Sequence, residues 1–139
     1  MNVQENIKTA IELLDENNEY YKQLIGENGL SSITDQKIDF WLHYIEFNDK
    51  IKLMQMYRII KEIRRLRKER RKYKNDTALL KLFKDNEQKL VNNDHRKILL
   101  TQIYKTTNKQ ENAKYSYAAY SKEEAEKILG IKLIDKENE

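Results

Sequence analysis

Apolar residues at Val3, Ile7, Ile11, Leu14, Tyr21 and Ile25 recur in steps of three and four, with Asn18 at the one skipped position. That period places them on one face and predicts a first helix over residues 3–25. Asn18 on this stripe reads as a frayed or solvent-facing position, the alternative being a register device of the kind buried Asn provides in coiled coils. Gly26-Glu27-Asn28-Gly29 then stops the helix, because glycine tolerates the left-handed backbone a helix end requires. Ser31, Ser32 and Thr34 offer N-caps for a second helix, and Asp35 would meet the positive end of its dipole. Its apolar set, Ile38, Trp41, Leu42, Ile45 and Phe47, predicts a broad core-facing side to which Trp41 contributes most.

After Asn48-Asp49, the positions Met56, Ile59, Ile63, Leu66, Arg70, Tyr73, Thr77 and Leu80 keep a 3-4-3-4 spacing, the mark of a heptad seam. Unbroken from 50 to 88, this helix would run roughly 60 Å at 1.5 Å per residue and would need a partner along its length. The alternative is a break at Asn75-Asp76. Asn92-Asn93-Asp94 punctuates the chain again, and Ile98, Leu99 and Ile103 predict a helix over 94–107 that returns antiparallel. Residues 106–112 read as a polar loop or fraying end. Tyr115, Tyr117 and Tyr120 lie in a short segment that reads as extended. Ser121-Lys122-Glu123-Glu124 is a capping box for a short helix closed by Gly130. The resulting expectation is an all-α fold: an elongated antiparallel bundle or coiled coil built on one long basic helix over residues 1–112. Residues 113–139 form an appended extension with a short helix.

Composition sharpens this picture. The chain of 139 residues has no Pro and three Gly, so little interrupts helix formation. The absence of Cys excludes disulfides and thiolate chemistry and fits a reducing compartment. The first ten residues lack a basic-then-apolar leader pattern, and no long apolar run suits a membrane span, so a cytoplasmic protein is expected. Net charge is only +4, yet Lys61–Lys74 holds nine Lys/Arg and two Glu, a local 9 − 2 = +7. Basicity therefore belongs to one helix.

Catalytic or metal chemistry finds little support. His43 and His95 fall on separate predicted helices without a partner at zinc-like spacing. Asn93-Asp94-His95 is better explained as a helix cap than as a nuclease motif. The Gly26–Gly29 turn lacks the Lys-Ser/Thr of a phosphate loop, and Asp35 and Asp39 read as ordinary polar-face carboxylates. A non-enzyme without cofactor or metal is expected.

The basic helix is the candidate site. Arg64, Arg65, Arg67, Lys68, Arg71, Lys72 and Lys74 avoid the apolar seam, and guanidinium groups suit bidentate pairing with phosphate or carboxylate. A solvated face neutralised by Glu from neighbouring helices is an equal alternative. Arg70 sits on the seam itself, so either the packing opens there or a Glu from another helix enters. Tyr115, Tyr117 and Tyr120 are candidate aromatic contacts, with packing onto the bundle as the bland reading.

Tyr120–Ile131 resembles the first helix and turn of helix-turn-helix domains of the excisionase and MerR kind. The following Lys132–Glu139 is too short and acidic to enter a major groove. Leu42-His43-Tyr44-Ile45-Glu46, Ile63–Lys74 and Lys109-Gln110-Glu111-Asn112 give residues 40–115 a look similar to small helical proteins of phages and prophages of low-GC Gram-positive bacteria. That resemblance implies a bacterial host cytoplasm and a non-enzymatic protein that binds, and blocks, a host or defence nucleoprotein complex. Direct DNA or RNA binding by a dimeric basic bundle is the alternative, and capture of an anionic nucleotide signal a third.

Overall fold

The computed structural model describes residues 2–113 and 120–131, and among them every regular element is helical. The helices are α1 (Val3–Leu24), α2 (Leu30–Phe47), α3 (Leu53–Asn86), α4 (Asn93–Glu111) and α5 (Lys122–Leu129), with a single 3-10 turn at Glu87–Lys89. The all-α expectation holds. The chain divides into two compact units, residues 1–108 and 109–139.

In the first unit, Asn2 caps α1, its Oδ1 accepting from the Glu5 amide at 3.2 Å. Gly26 takes the left-handed conformation, φ +95°, that ends the helix. Gly29 is needed for a different reason: it has ordinary φ, but a Cβ there would lie 2.5 Å from the Leu24 carbonyl oxygen. Gly29, rather than Ser31, Ser32 or Thr34, is the N-cap of α2, and it lacks a capping side chain. Thr34 is instead buried inside α2, donating from Oγ1 to the Leu30 carbonyl at 2.7 Å. Asp35 consequently lies beyond the first turn.

The long helix is continuous over 34 residues, about 50 Å at 1.5 Å per residue. Asn75-Asp76 does not break it. A new helix would use the Asp76 side chain as its cap, but that carboxylate accepts the Tyr20 hydroxyl at 2.7 Å. Along the heptad seam Ile59 and Leu66 are buried, while Met56, Ile63, Arg70, Tyr73, Thr77 and Leu80 are half-buried.

Two shorter helices share this seam. The connection at 48–52 turns α2 back along the first half of α3, with Asp35 reaching Arg70. On the second half, Tyr20 of α1 meets Asp76, and the Lys84 ammonium sits 4.8 Å above the Tyr21 ring. Thus α1 and α2 follow one another along α3, and the Gly26–Gly29 turn separates their shares.

Because Tyr21 lies against Lys84 and α3 ends at Asn86, the α3 seam offers little to the preceding turns of α1. Leu24 is buried, but Val3, Ile7 and Ile11 are 59%, 56% and 54% exposed, contrary to a stripe covered from end to end. Asn18 is half-buried rather than solvent-facing. On α2 the expectation of a broad core face also needs correction. Ile38 is buried and Trp41 and Ile45 half-buried, while Leu42 and Phe47 are exposed. One helix seam covers a narrow stripe, and α2 is apolar over more than that width.

α4 runs to Glu111, beyond the expected end at 107, because no Gly or Pro forces a stop and polar residues are compatible with helix. In the second unit, Ser121 and Glu124 form the expected reciprocal box: Ser121 Oγ accepts from the Glu124 amide at 3.2 Å, and the Glu124 carboxylate accepts from the Ser121 amide at 3.0 Å. Gly130 closes α5 with φ +73°. Tyr115, Tyr117 and the segment after Ile131 lie outside the described residues. No helix among the described residues is long and apolar enough to cross a membrane.

Candidate binding surface on the long helix

With Ile59, Ile63, Leu66 and Arg70 on the seam that α2 shares and Tyr73 near Tyr20 of α1, helical geometry directs Arg64, Arg65, Arg67, Lys68, Arg71, Lys72 and Lys74 outward, and all seven are exposed. They are not equivalent. Arg65 is held within its own helix: Nε and Nη2 donate to Glu62 at 2.9 and 2.5 Å, and Nη1 donates to Glu69 at 2.5 Å. The hydrogen bonds from Arg65 hold the Glu62 carboxyl below its ordinary range, and those to Glu62 hold the guanidinium charged. Arg65 therefore drops out as a partner-binding residue. The neutralising Glu comes from the same helix, not a neighbouring one.

Arg70 has a carboxylate partner from another helix, as its seam position requires. The partner is Asp35 of α2, which pairs with Arg70 Nε. Asp35 is thus an interhelical group rather than a polar-face carboxylate. Among the described residues, Arg64, Arg67, Lys68, Lys72 and Lys74 have no carboxylate within ion-pair distance. Lys74 also borders an open cavity of about 420 Å³ at the helix junction, shared with Leu24, Gly26, Asp35 and Thr77.

The outer side of α3 carries a second periodic set. Leu53, Tyr57 and Ile60 are 88%, 62% and 55% exposed, and Arg64 and Arg67 continue their 4-3-4-3 spacing. α2 has a stripe of its own at Lys37, Phe40, Tyr44 and Phe47. Trp41 joins it through edge-on contacts to Phe40 and Tyr44, centroids 5.1 and 5.9 Å apart. His43 stacks on Phe47 at 6.2 Å and its Nδ1 lies 3.2 Å from Glu46. Lys37 is close enough to Glu62 to help lower its pKa, which puts the aromatic stripe on the Glu62/Arg65/Glu69 flank of the hairpin. Arg64 and Arg67 occupy the other flank.

The aromatic stripe escaped the sequence reading, although its 3-4-3 spacing was visible beside the Trp41 set. Tyr120 is 55% exposed and belongs to the second unit. His43 and His95 are both exposed, and no group of three or more His, Asp or Glu among the described residues could hold a metal ion. Compared with known protein families, curated proteins and solved structures, the chain matches none.

Proposed function

We propose that this protein is a non-enzymatic binding protein that engages a nucleic-acid-handling complex through the outer side of α3, its cations meeting an acidic groove or bound nucleic acid. The observation that carries this reading is the set Arg64, Arg67, Lys68, Lys72 and Lys74, exposed and without a carboxylate partner among the described residues. Arg64 and Arg67 suit planar pairing with phosphate or carboxylate, and Lys68, Lys72 and Lys74 add positive charge beside them. In the phage setting that the resemblance implies, such binding would block a host or defence complex.

Affinity capture from bacterial lysate, with and without nuclease, tests the reading. A protein partner retained after nuclease treatment and lost with Arg64→Glu/Lys68→Glu supports it. Arg65→Gln serves as the internal control and should leave capture unchanged, since Glu62 and Glu69 already occupy that side chain. Capture that is indifferent to the double charge reversal would refute the assignment of the surface. If all partners vanish with nuclease, direct nucleic-acid binding replaces it. Four phosphate contacts would then give a log–log salt slope of about −3.6, at roughly −0.9 per contact.

A further inference from the structure

The outer side of α3 is not simply basic. It is a second coiled-coil seam, apolar at Leu53, Tyr57 and Ile60 and cationic at Arg64 and Arg67, in unbroken 4-3-4-3 spacing. α1 and α2 pack on the Ile59/Leu66 seam, and among the described residues no helix covers this second one, whose Leu53, Tyr57, Ile60, Arg64 and Arg67 are all exposed. We propose that it docks an acidic amphipathic helix of a partner protein, with apolar side chains against Leu53, Tyr57 and Ile60 and carboxylates at the same heptad positions against Arg64 and Arg67. This rests on the reading of α3 as the binding surface and names the chemistry of the partner.

Three observations favour such a helix over other occupants. A phosphate backbone would satisfy the guanidinium groups but offers nothing apolar to the three exposed residues that precede them. A second α3 would set cations against cations or against Leu53, Tyr57 and Ile60. The acidic helix of a second copy, α1, has Val3, Ile7 and Ile11 on one face, but Glu5, Glu12, Glu16 and Glu19 lie on the opposite face. It could present its apolar stripe or its carboxylates, not both in one line. The required partner has both on one stripe. Arg–carboxylate pairs at the edge of such a contact select the partner and its register, while the apolar residues supply affinity.

The full-length protein can be titrated, by fluorescence anisotropy, into a labelled helical peptide of about three heptads. One half carries Leu at the seam positions and the other half Glu. A scrambled peptide of the same composition and a short DNA duplex are the comparisons, at about 150 mM salt to limit long-range attraction. The patterned peptide should bind at least about ten-fold tighter than the scrambled one. Tyr57→Ser/Ile60→Ser should weaken it about ten-fold while leaving thermal unfolding close to wild type, because both side chains are exposed. Arg64→Glu/Arg67→Glu should weaken it similarly and regain binding on a peptide with Lys in place of Glu.

Equal binding of patterned and scrambled peptides would overturn the inference. So would duplex binding tighter than peptide binding and unaffected by Tyr57→Ser/Ile60→Ser; that outcome leaves the cationic surface itself in place. Loss of lysate capture with Arg64→Glu/Lys68→Glu depends on no peptide, so the two readings fail separately.

Discussion

Arg70 is the charged member of an otherwise apolar seam, and its presence is compatible with burial only through Asp35. Both side chains keep partial exposure, 36% and 44%, so water screens the pair and its net value is small. Asp35→Ala is expected to cost about 1 kcal/mol, and Arg70→Leu to be neutral or stabilising, because a leucine matches the seam. Urea unfolding midpoints check both. Leu66, only 1% exposed, stands at the other extreme, and Leu66→Ala should cost about 3 kcal/mol in the same measurement. Burial, reinforced by the Asp76 carboxylate, pushes the Tyr20 hydroxyl up from 10.0 to about 12. Between those values the folded state keeps a proton the unfolded state has lost, so its contribution is complete below pH 10 and falls away as pH rises to about 12. The wild-type minus Tyr20→Phe difference in stability should shrink across that interval; a difference that stays constant with pH would contradict the assigned bond.

At the scale of elements, the turn between α1 and α2 decides how α3 is shared. Gly26→Ala meets only the cost of a left-handed conformation, about 1 kcal/mol, since open space surrounds its Cβ position. Gly29→Ala drives a methyl group into the Leu24 and Ile25 backbone and should cost more, seen as the larger fall in thermal midpoint. The uncovered half of α1 should also be dynamic. Amides near Ile7 and Ile11 are expected to exchange hydrogen faster than those of residues 18–24, where α1 meets α3. The continuity of α3 was less legible than its seam. Periodicity across Asn75-Asp76 permitted either a cap or a through-going helix, and the choice came from Tyr20, a residue distant in sequence that occupies the Asp76 side chain.

For the whole molecule, a small core and a large exposed apolar surface coexist. Among the described residues the buried hydrophobic ones are Leu24, Ile38, Ile59, Leu66 and Leu99, whereas Phe40, Phe47, Leu53, Tyr57 and Ile60 remain open around the hairpin end. Exposure on this scale marks interaction surface more often than tolerated solvent contact. A partner that binds only the folded form would raise stability by about 2.7 kcal/mol at one hundred times its dissociation constant. Thermal unfolding with a captured partner checks this, and an unchanged midpoint would argue against specific binding.

Local pattern alone determined the helical class and approximate places of the elements, the heptad seam of α3, the capping box at Ser121 and the outward direction of the basic residues. Each depends on helical periodicity or on groups within one turn, and those are written in consecutive residues. Tertiary structure decided which periodic stripes are covered. Val3, Ile7 and Ile11 belong to a helical stripe of three- and four-residue steps, as the seam of α3 does, yet the α3 seam does not extend over them. It also decided the pairing of the basic residue on the seam. Arg64, Arg65 and Arg70 belong to one charge run; Glu62 and Glu69 hold Arg65 at helical spacing already present in the sequence, whereas Asp35 reaches Arg70 only because α2 folds back on α3, and Arg64 faces outward without a carboxylate partner among the described residues. Charge is a property of the side chain; its availability depends on which carboxylate the fold brings within reach.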